Sequence, residues 1–192
     1  MKEGFIMTNR FSDFNSCKRI EENPTTRRVL DNFYRTLGYD FERVDFDKDY
    51  QSRALQYKGV DVILYKDGGS LYVDEKVTTK EFKGDILLEI GNANKQGWAL
   101  NEKYLTNVVL FYYTNKIILI EYDSLRVYLQ SNLFFLNAKY KVITSDNGKQ
   151  NVIIPLEVLQ RELYSSICTN TVKVFDTIEY CSDEEKILSL FK

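Results

Sequence analysis

The feature that most limits how this chain can fold is a glycine-rich turn, Lys66-Asp67-Gly68-Gly69-Ser70, set between two apolar, β-branched runs at 57–65 and 71–78. Runs of this kind joined by so short a turn form an antiparallel hairpin. Each arm carries charge where a strand disfavours it. Asp61 sits within Gly59-Val60-Asp61-Val62-Ile63-Leu64, and three charged residues end Leu71-Tyr72-Val73-Asp74-Glu75-Lys76. Aspartate is depleted in strands, and an unpaired buried charge is costly. A two-residue loop at Gly68-Gly69 predicts Asp61 opposite Lys76, with Asp74 on the adjacent diagonal. Such neighbours lie about 4.5–8 Å apart at Cβ. Carboxylates on adjoining strands can hold a hard divalent cation, and a lysine two residues along shares their face of the pleat. A site of this kind suits metal-assisted attack on a phosphodiester. The same trio is also compatible with a structural ion pair.

Composition removes many other chemistries. The chain has no histidine, which excludes Ser-His-Asp hydrolases, Cys-His proteases, HExxH metalloproteases and histidine-based nucleases. Catalysis must then rest on carboxylates, lysine, tyrosine or a metal. With 192 residues, 44% hydrophobic, the chain is long and apolar enough to fold as one domain over 1–192. No internal repeat or Gly/Ser-rich linker divides it. The net charge of −2 argues against indiscriminate nucleic-acid binding. Arg27 with Arg28, and Lys139 with Lys141, are local basic candidates beside the plainer reading of solvated charges. The cysteines Cys17, Cys168 and Cys181 are widely spaced, without a CxxC pair, which fits a reducing compartment and argues against structural zinc. No run reaches signal-peptide or membrane-helix length. The expectation is a soluble cytoplasmic protein with no membrane partner.

Periodicity fills in the rest. Asn23-Pro24-Thr25-Thr26 starts a helix over 25–37, whose apolar positions are Val29, Leu30, Phe33, Tyr34 and Leu37, and Gly38 ends it. Strands are expected at 41–46, 57–65, 71–78, 86–90, 107–113, 116–122, 140–144, 151–154 and 171–175. Residues 47–52 and 91–98 read as loops, 124–131 and 155–163 as helices, and Asp146-Asn147-Gly148 as a turn. A central sheet flanked by a few helices follows.

The order Asp61, glycine turn, Asp74-Glu75-Lys76 resembles the PD-(D/E)XK nuclease superfamily over residues 51–98. Asp61 matches the first acid, Asp74 the second, Glu75 the intervening residue and Lys76 the lysine. Val60 stands where the family name implies proline, a position where the superfamily often lacks it. The resemblance implies an α/β fold of the restriction-endonuclease-like type, a mixed central β-sheet flanked by α-helices. It implies a nuclease that uses Mg²⁺ (or Mn²⁺) to hydrolyse phosphodiester bonds in nucleic acid, DNA before RNA. Asp61, Asp74 and Lys76 would be catalytic. Asp61 and Asp74 would bind the metal with help from a backbone carbonyl at Glu75 or Val77 or, if the strand pairing shifts, from the Glu75 side chain. Lys76 would orient or help deprotonate the attacking water and stabilise charge on phosphate. Glu89, Glu22 (or Glu21), Gln51 and Gln56 are additional candidates, and Trp98 could stack on a base or simply pack. Nucleases of this type often act as homodimers, although no dimer signature stands out. A non-catalytic module binding nucleic acid or protein on the same scaffold is the alternative.

Overall fold

A computed structural model describes residues 23–92, 94–145, 148–164 and 171–180. Helix α1 (Pro24–Thr36) begins where its cap dictates. The Asn23 side chain accepts from the amides of Thr25 at 2.9 Å and Thr26 at 3.4 Å, and Pro24 occupies the first turn, where no amide is needed. Val29, Leu30, Phe33 and Tyr34 form its buried face.

Strand β1 (Asp40–Arg43) leads to a second helix, α2 (Tyr50–Gln56), whose first three residues read as loop in the sequence and whose last four carried no assignment. Asp49 caps it by accepting from the Ser52 amide at 2.7 Å. The helix buries no residue, so no apolar period announced it. It closes in a Schellman motif: Val60 N–H donates to the Leu55 carbonyl, Gly59 N–H to that of Gln56, and Gly59 takes φ 74°. Strand β2 therefore starts only at Val62 and runs Val62–Lys66.

Strand β3 (Gly69–Val77) returns after a two-residue turn at Asp67-Gly68, with φ 51° and 77°. Both central residues have positive φ, the type I′ geometry that Asp-Gly favours. The expected Gly68-Gly69 turn is thus one residue late. Val62 pairs with Val73 and Lys66 with Gly69; Asp61 lies just outside this ladder, with its carboxyl beside Asp74 rather than opposite Lys76. A one-residue move of the turn shifts pairing by two residues, so every side chain keeps its face.

The remaining elements are β4 (Asp85–Asn92), β5 (Lys95–Gln96), β6 (Val108–Tyr112), β7 (Lys116–Glu121), α3 (Tyr122–Asn132), α4 (Leu136–Lys139), β8 (Lys141–Thr144), β9 (Gln150–Pro155), α5 (Leu156–Tyr164) and β10 (Val172–Asp176). Glu121 caps α3 by accepting from the Ser124 amide, and the helix opens two residues before the expected 124. Pro155 ends β9 instead of opening α5. Residues Asp146 and Asn147 of the anticipated turn lie outside the described residues.

The architecture is mixed α/β, with two sheets where one was expected. The six-stranded sheet has the order β1-β2-β3-β6-β7-β10, in which β3 and β6 are parallel and the other pairs antiparallel. The four-stranded sheet has the order β5-β4-β9-β8. Helix α1 covers one face of the larger sheet, burying Phe33 and Tyr34 against Val62, Val73 and Leu110. The smaller sheet, with α3 and α5, covers the other, where Ile86, Leu88, Val152 and Ile154 meet Val109, Phe111, Ile118 and Ile120. No helix among the described residues is long and apolar enough to cross a membrane.

Gly59 is a tight joint. A Cβ there would lie 2.3 Å from the Tyr104 ring and 2.7 Å from the Thr106 hydroxyl, at a φ that side chains rarely adopt. Gly59→Ala should lower unfolding free energy by about 1–3 kcal/mol, read as a drop in urea midpoint. An unchanged midpoint would mean that the α2–β2 junction relaxes freely.

Candidate active site

Pairing stops at Val62, but β3 runs on to Val77. The edge of β3 beyond Val73 would therefore lack a partner. Asp61 supplies one: its amide donates to the Val73 carbonyl at 2.8 Å, and its Oδ2 accepts from the Glu75 amide at 2.8 Å. The Asp61 side chain thus stands in for the next residue of a strand. In an extended strand the N–H and C=O of one residue point the same way, so the Glu75 carbonyl also opens toward Asp61.

Strand alternation then divides the charged residues between two faces. Asp74 and Lys76 point toward the smaller sheet, and the Asp61 carboxyl lies beside Asp74 at the strand edge. Asp74 is 2% exposed; its Oδ1 accepts from Lys76 Nζ at 2.6 Å. Its Oδ2 is the one buried side-chain polar atom among the described residues with no hydrogen-bond partner. The Lys76 ammonium also lies 4.9 Å from the centre of the Trp98 ring, a cation–π distance. Trp98 is placed by the β4–β5 hairpin and by the buried Tyr122, whose hydroxyl donates to the Trp98 carbonyl at 2.6 Å.

Glu75 faces the other way. Its carboxylate accepts from the Tyr34 hydroxyl at 2.8 Å and from Arg43 at 2.8 Å, and Arg43 also binds Asp31 at 2.7 Å. Burial raises the Glu75 pKa, and Arg43 and Tyr34 oppose that rise. What Glu75 can offer a cation is its backbone oxygen, since its side chain is taken up under α1.

The other sequence candidates are scattered. Glu89, on β4, is paired with Lys149 at 2.9 Å. Gln51 is exposed on α2, and Gln56 donates to the Val44 carbonyl. Glu21 and Glu22 lie outside the described residues. Tyr104, in the segment after Trp98, escaped the sequence reading. Burial raises its phenol pKa, with Lys76 opposing, and its ring stacks on Tyr122 at 6.2 Å between centroids. A lone tyrosine in a polar stretch carries no motif that would have singled it out.

The electrostatics suit a cation. Burial, then the neighbouring Asp74 charge, raises Asp61 from 3.8 to about 7. Burial works against the charge on Lys76, but Asp74 and Asp61 outweigh it and hold the ammonium well above the ordinary lysine range. Among the described residues, no three His, Cys, Asp or Glu side chains gather to hold a metal. The donor set here is two carboxylates and a backbone carbonyl. Mg²⁺ is commonly held by only one or two carboxylates, with water and phosphate completing the shell, and the partnerless Asp74 Oδ2 is a hard ligand of the required kind. No protein-family model matches the chain, and no curated protein is similar to it in sequence.

Two predictions follow from these charges. Asp61 keeps its proton in the folded protein up to about pH 7 but releases it near pH 4 when unfolded. The folded state binds more protons in that window, so metal-free stability should fall as pH rises through it, by at most about 1.4 kcal/mol per pH unit. Urea midpoints in chelator should show this slope, and Asp61→Asn should flatten it; a flat wild-type profile would place an ionised Asp61 in the fold. On the opposite face, Arg43→Met should cost about 3 kcal/mol at neutral pH by stranding buried Glu75. The loss should shrink in acid, where Glu75 is protonated, and an equal loss at both pH values would assign it to packing.

Proposed function

We propose that this protein is a metal-dependent nuclease of the restriction-endonuclease-like type, hydrolysing phosphodiester bonds, with DNA as its first candidate substrate. The observation that carries the reading is the close approach of the Asp61 and Asp74 carboxyls at the end of paired strands, with Lys76 on one Asp74 oxygen and no N–H or hydroxyl donor on the other. An orphaned buried carboxylate oxygen is expensive unless something binds it. The order α1, antiparallel β1–β2–β3, then parallel β6 agrees with the proposed fold. The second sheet, where helices were expected, departs from it.

Asp61, Asp74 and the Glu75 carbonyl would hold Mg²⁺ or Mn²⁺, which when bound polarises phosphate and lowers the pKa of water. The remaining work falls to the chain. Lys76, kept charged by its two acids, is suited to donate hydrogen bonds to the attacking water and to the phosphate oxygens as charge builds on them. An ammonium held so firmly is a poor proton acceptor, so its role is orientation and charge stabilisation. Trp98 limits where that ammonium can swing, and the apolar packing between the sheets keeps bulk water from its base.

The test is cleavage of plasmid and single-stranded oligonucleotides with Mg²⁺ or Mn²⁺. Asp74→Asn and Lys76→Ala should each lose about 10²-fold or more in rate, and Mn²⁺ uptake by calorimetry should vanish in Asp74→Asn. Equal residual cleavage in wild type and both variants would defeat the reading. Nucleic-acid binding indifferent to Asp61→Ala and to chelator would establish the binding module instead.

A further inference from the structure

Three consecutive large apolar side chains stand in the open where α3 meets α4. Leu133, Phe134 and Phe135 form a single 3₁₀ turn between the two helices, and they are 48%, 90% and 53% exposed. A run of this kind is a fault in a surface unless something binds it. The turn is not a loose loop. Leu129 before it and Leu136 after it are fully buried. The Asn132 side chain donates to the Tyr128 carbonyl at 2.9 Å and accepts from Lys139 Nζ at 3.2 Å. The hydroxyls of Tyr128 and Tyr140 lie 2.6 Å apart and tie the two flanks together. The two phenylalanine rings meet edge to face, with centroids 5.3 Å apart and planes at 85°. The fold therefore holds these side chains out as a fixed apolar tip.

The charge on this stretch has one sign. Residues 124–145 contain Arg126, Lys139 and Lys141 and no aspartate or glutamate. Arg126 engages Asp123 at 2.9 Å, and Gln130 engages Glu102 at 2.8 Å. Lys139 and Lys141, just after the tip, are exposed and have no carboxylate partner among the described residues. The tip is small for a lasting protein interface. Its three side chains offer roughly 400 Å², about half of the ~800 Å² that each partner contributes to a stable complex. Apolar side chains flanked by free lysines suit the boundary between headgroups and acyl chains of an anionic bilayer, where buried area and charge act together.

We propose that Leu133, Phe134 and Phe135 insert into the surface of a membrane containing anionic phospholipid, with Lys139 and Lys141 on the headgroup phosphates. The contact is peripheral and needs no spanning helix. It does not depend on the nuclease reading.

The chain should sediment with vesicles made of equal parts phosphatidylcholine and phosphatidylglycerol, and far less with phosphatidylcholine alone. Phe134→Ser combined with Phe135→Ser should weaken that binding by about tenfold or more. The melting temperature should not move, because both rings lie outside the buried clusters. Lys139→Gln combined with Lys141→Gln should also weaken it by about tenfold, and added salt should act in the same direction. Phe134→Trp reads insertion directly: brominated acyl chains should quench its fluorescence beyond that of wild type, whose single tryptophan is Trp98. Wild type that stays in the supernatant, unchanged binding in the double phenylalanine variant, or no added quenching overturns the proposal. A wild-type dimer that the same double variant dissolves, without vesicle binding, assigns the tip to a second copy of the chain and also overturns it.

Discussion

The hydrogen bond from the Glu75 amide to the Asp61 carboxylate is the contact on which the site depends. It exists because β3 outlasts its neighbour: beyond Val73 no strand is left to pair on that side, and a buried amide must find an acceptor. Asp61 answers that need with its side chain, and in doing so is brought beside Asp74. Two carboxyls brought this close in a buried place cannot both carry charge cheaply. The rise of Asp61 toward neutrality records that tension. A bound cation would relieve it.

Strand β3 carries charge to both of its faces, an unusual load for the middle of a core. The structure tolerates it by giving each face its own counter-charges. Under α1, Glu75 is enclosed by Tyr34 and Arg43, and Arg43 is tied onward to Asp31. Toward the smaller sheet, Asp74 is matched by Lys76, whose ammonium is backed by Trp98. The two networks share one backbone. A slip of β3 by one residue would reverse both faces at once and strand every charge, so they lock the register that the turn selects.

Much of this was legible in the sequence. The Asn23 cap and the apolar face of α1 are local signals, and α1 lies within a residue of where they put it. The glycine turn announced the hairpin, although Asp67-Gly68 closes it and not Gly68-Gly69. Helix α2 was missed because its causes, the Asp49 cap and the Gly59 stop, frame a segment too short and too exposed to show an apolar period. The second sheet was missed for a different reason. Strands β4 and β9 are separated by some sixty residues in sequence, and nothing in either one names its partner.

Alternation along β3 and the turn chemistry at Asp67-Gly68 are short-range effects, each decided by a few adjacent residues. The sequence by itself therefore determined that Asp74 and Lys76 share one face and that Glu75 takes the other. Only the tertiary structure decided what those faces meet, Tyr34 and Arg43 on one side and Trp98 on the other, and where the Asp61 carboxyl comes to rest. Those encounters depend on which distant segments pack together, and the free energy that selects them comes from burial summed over the whole core rather than from any single stretch of chain.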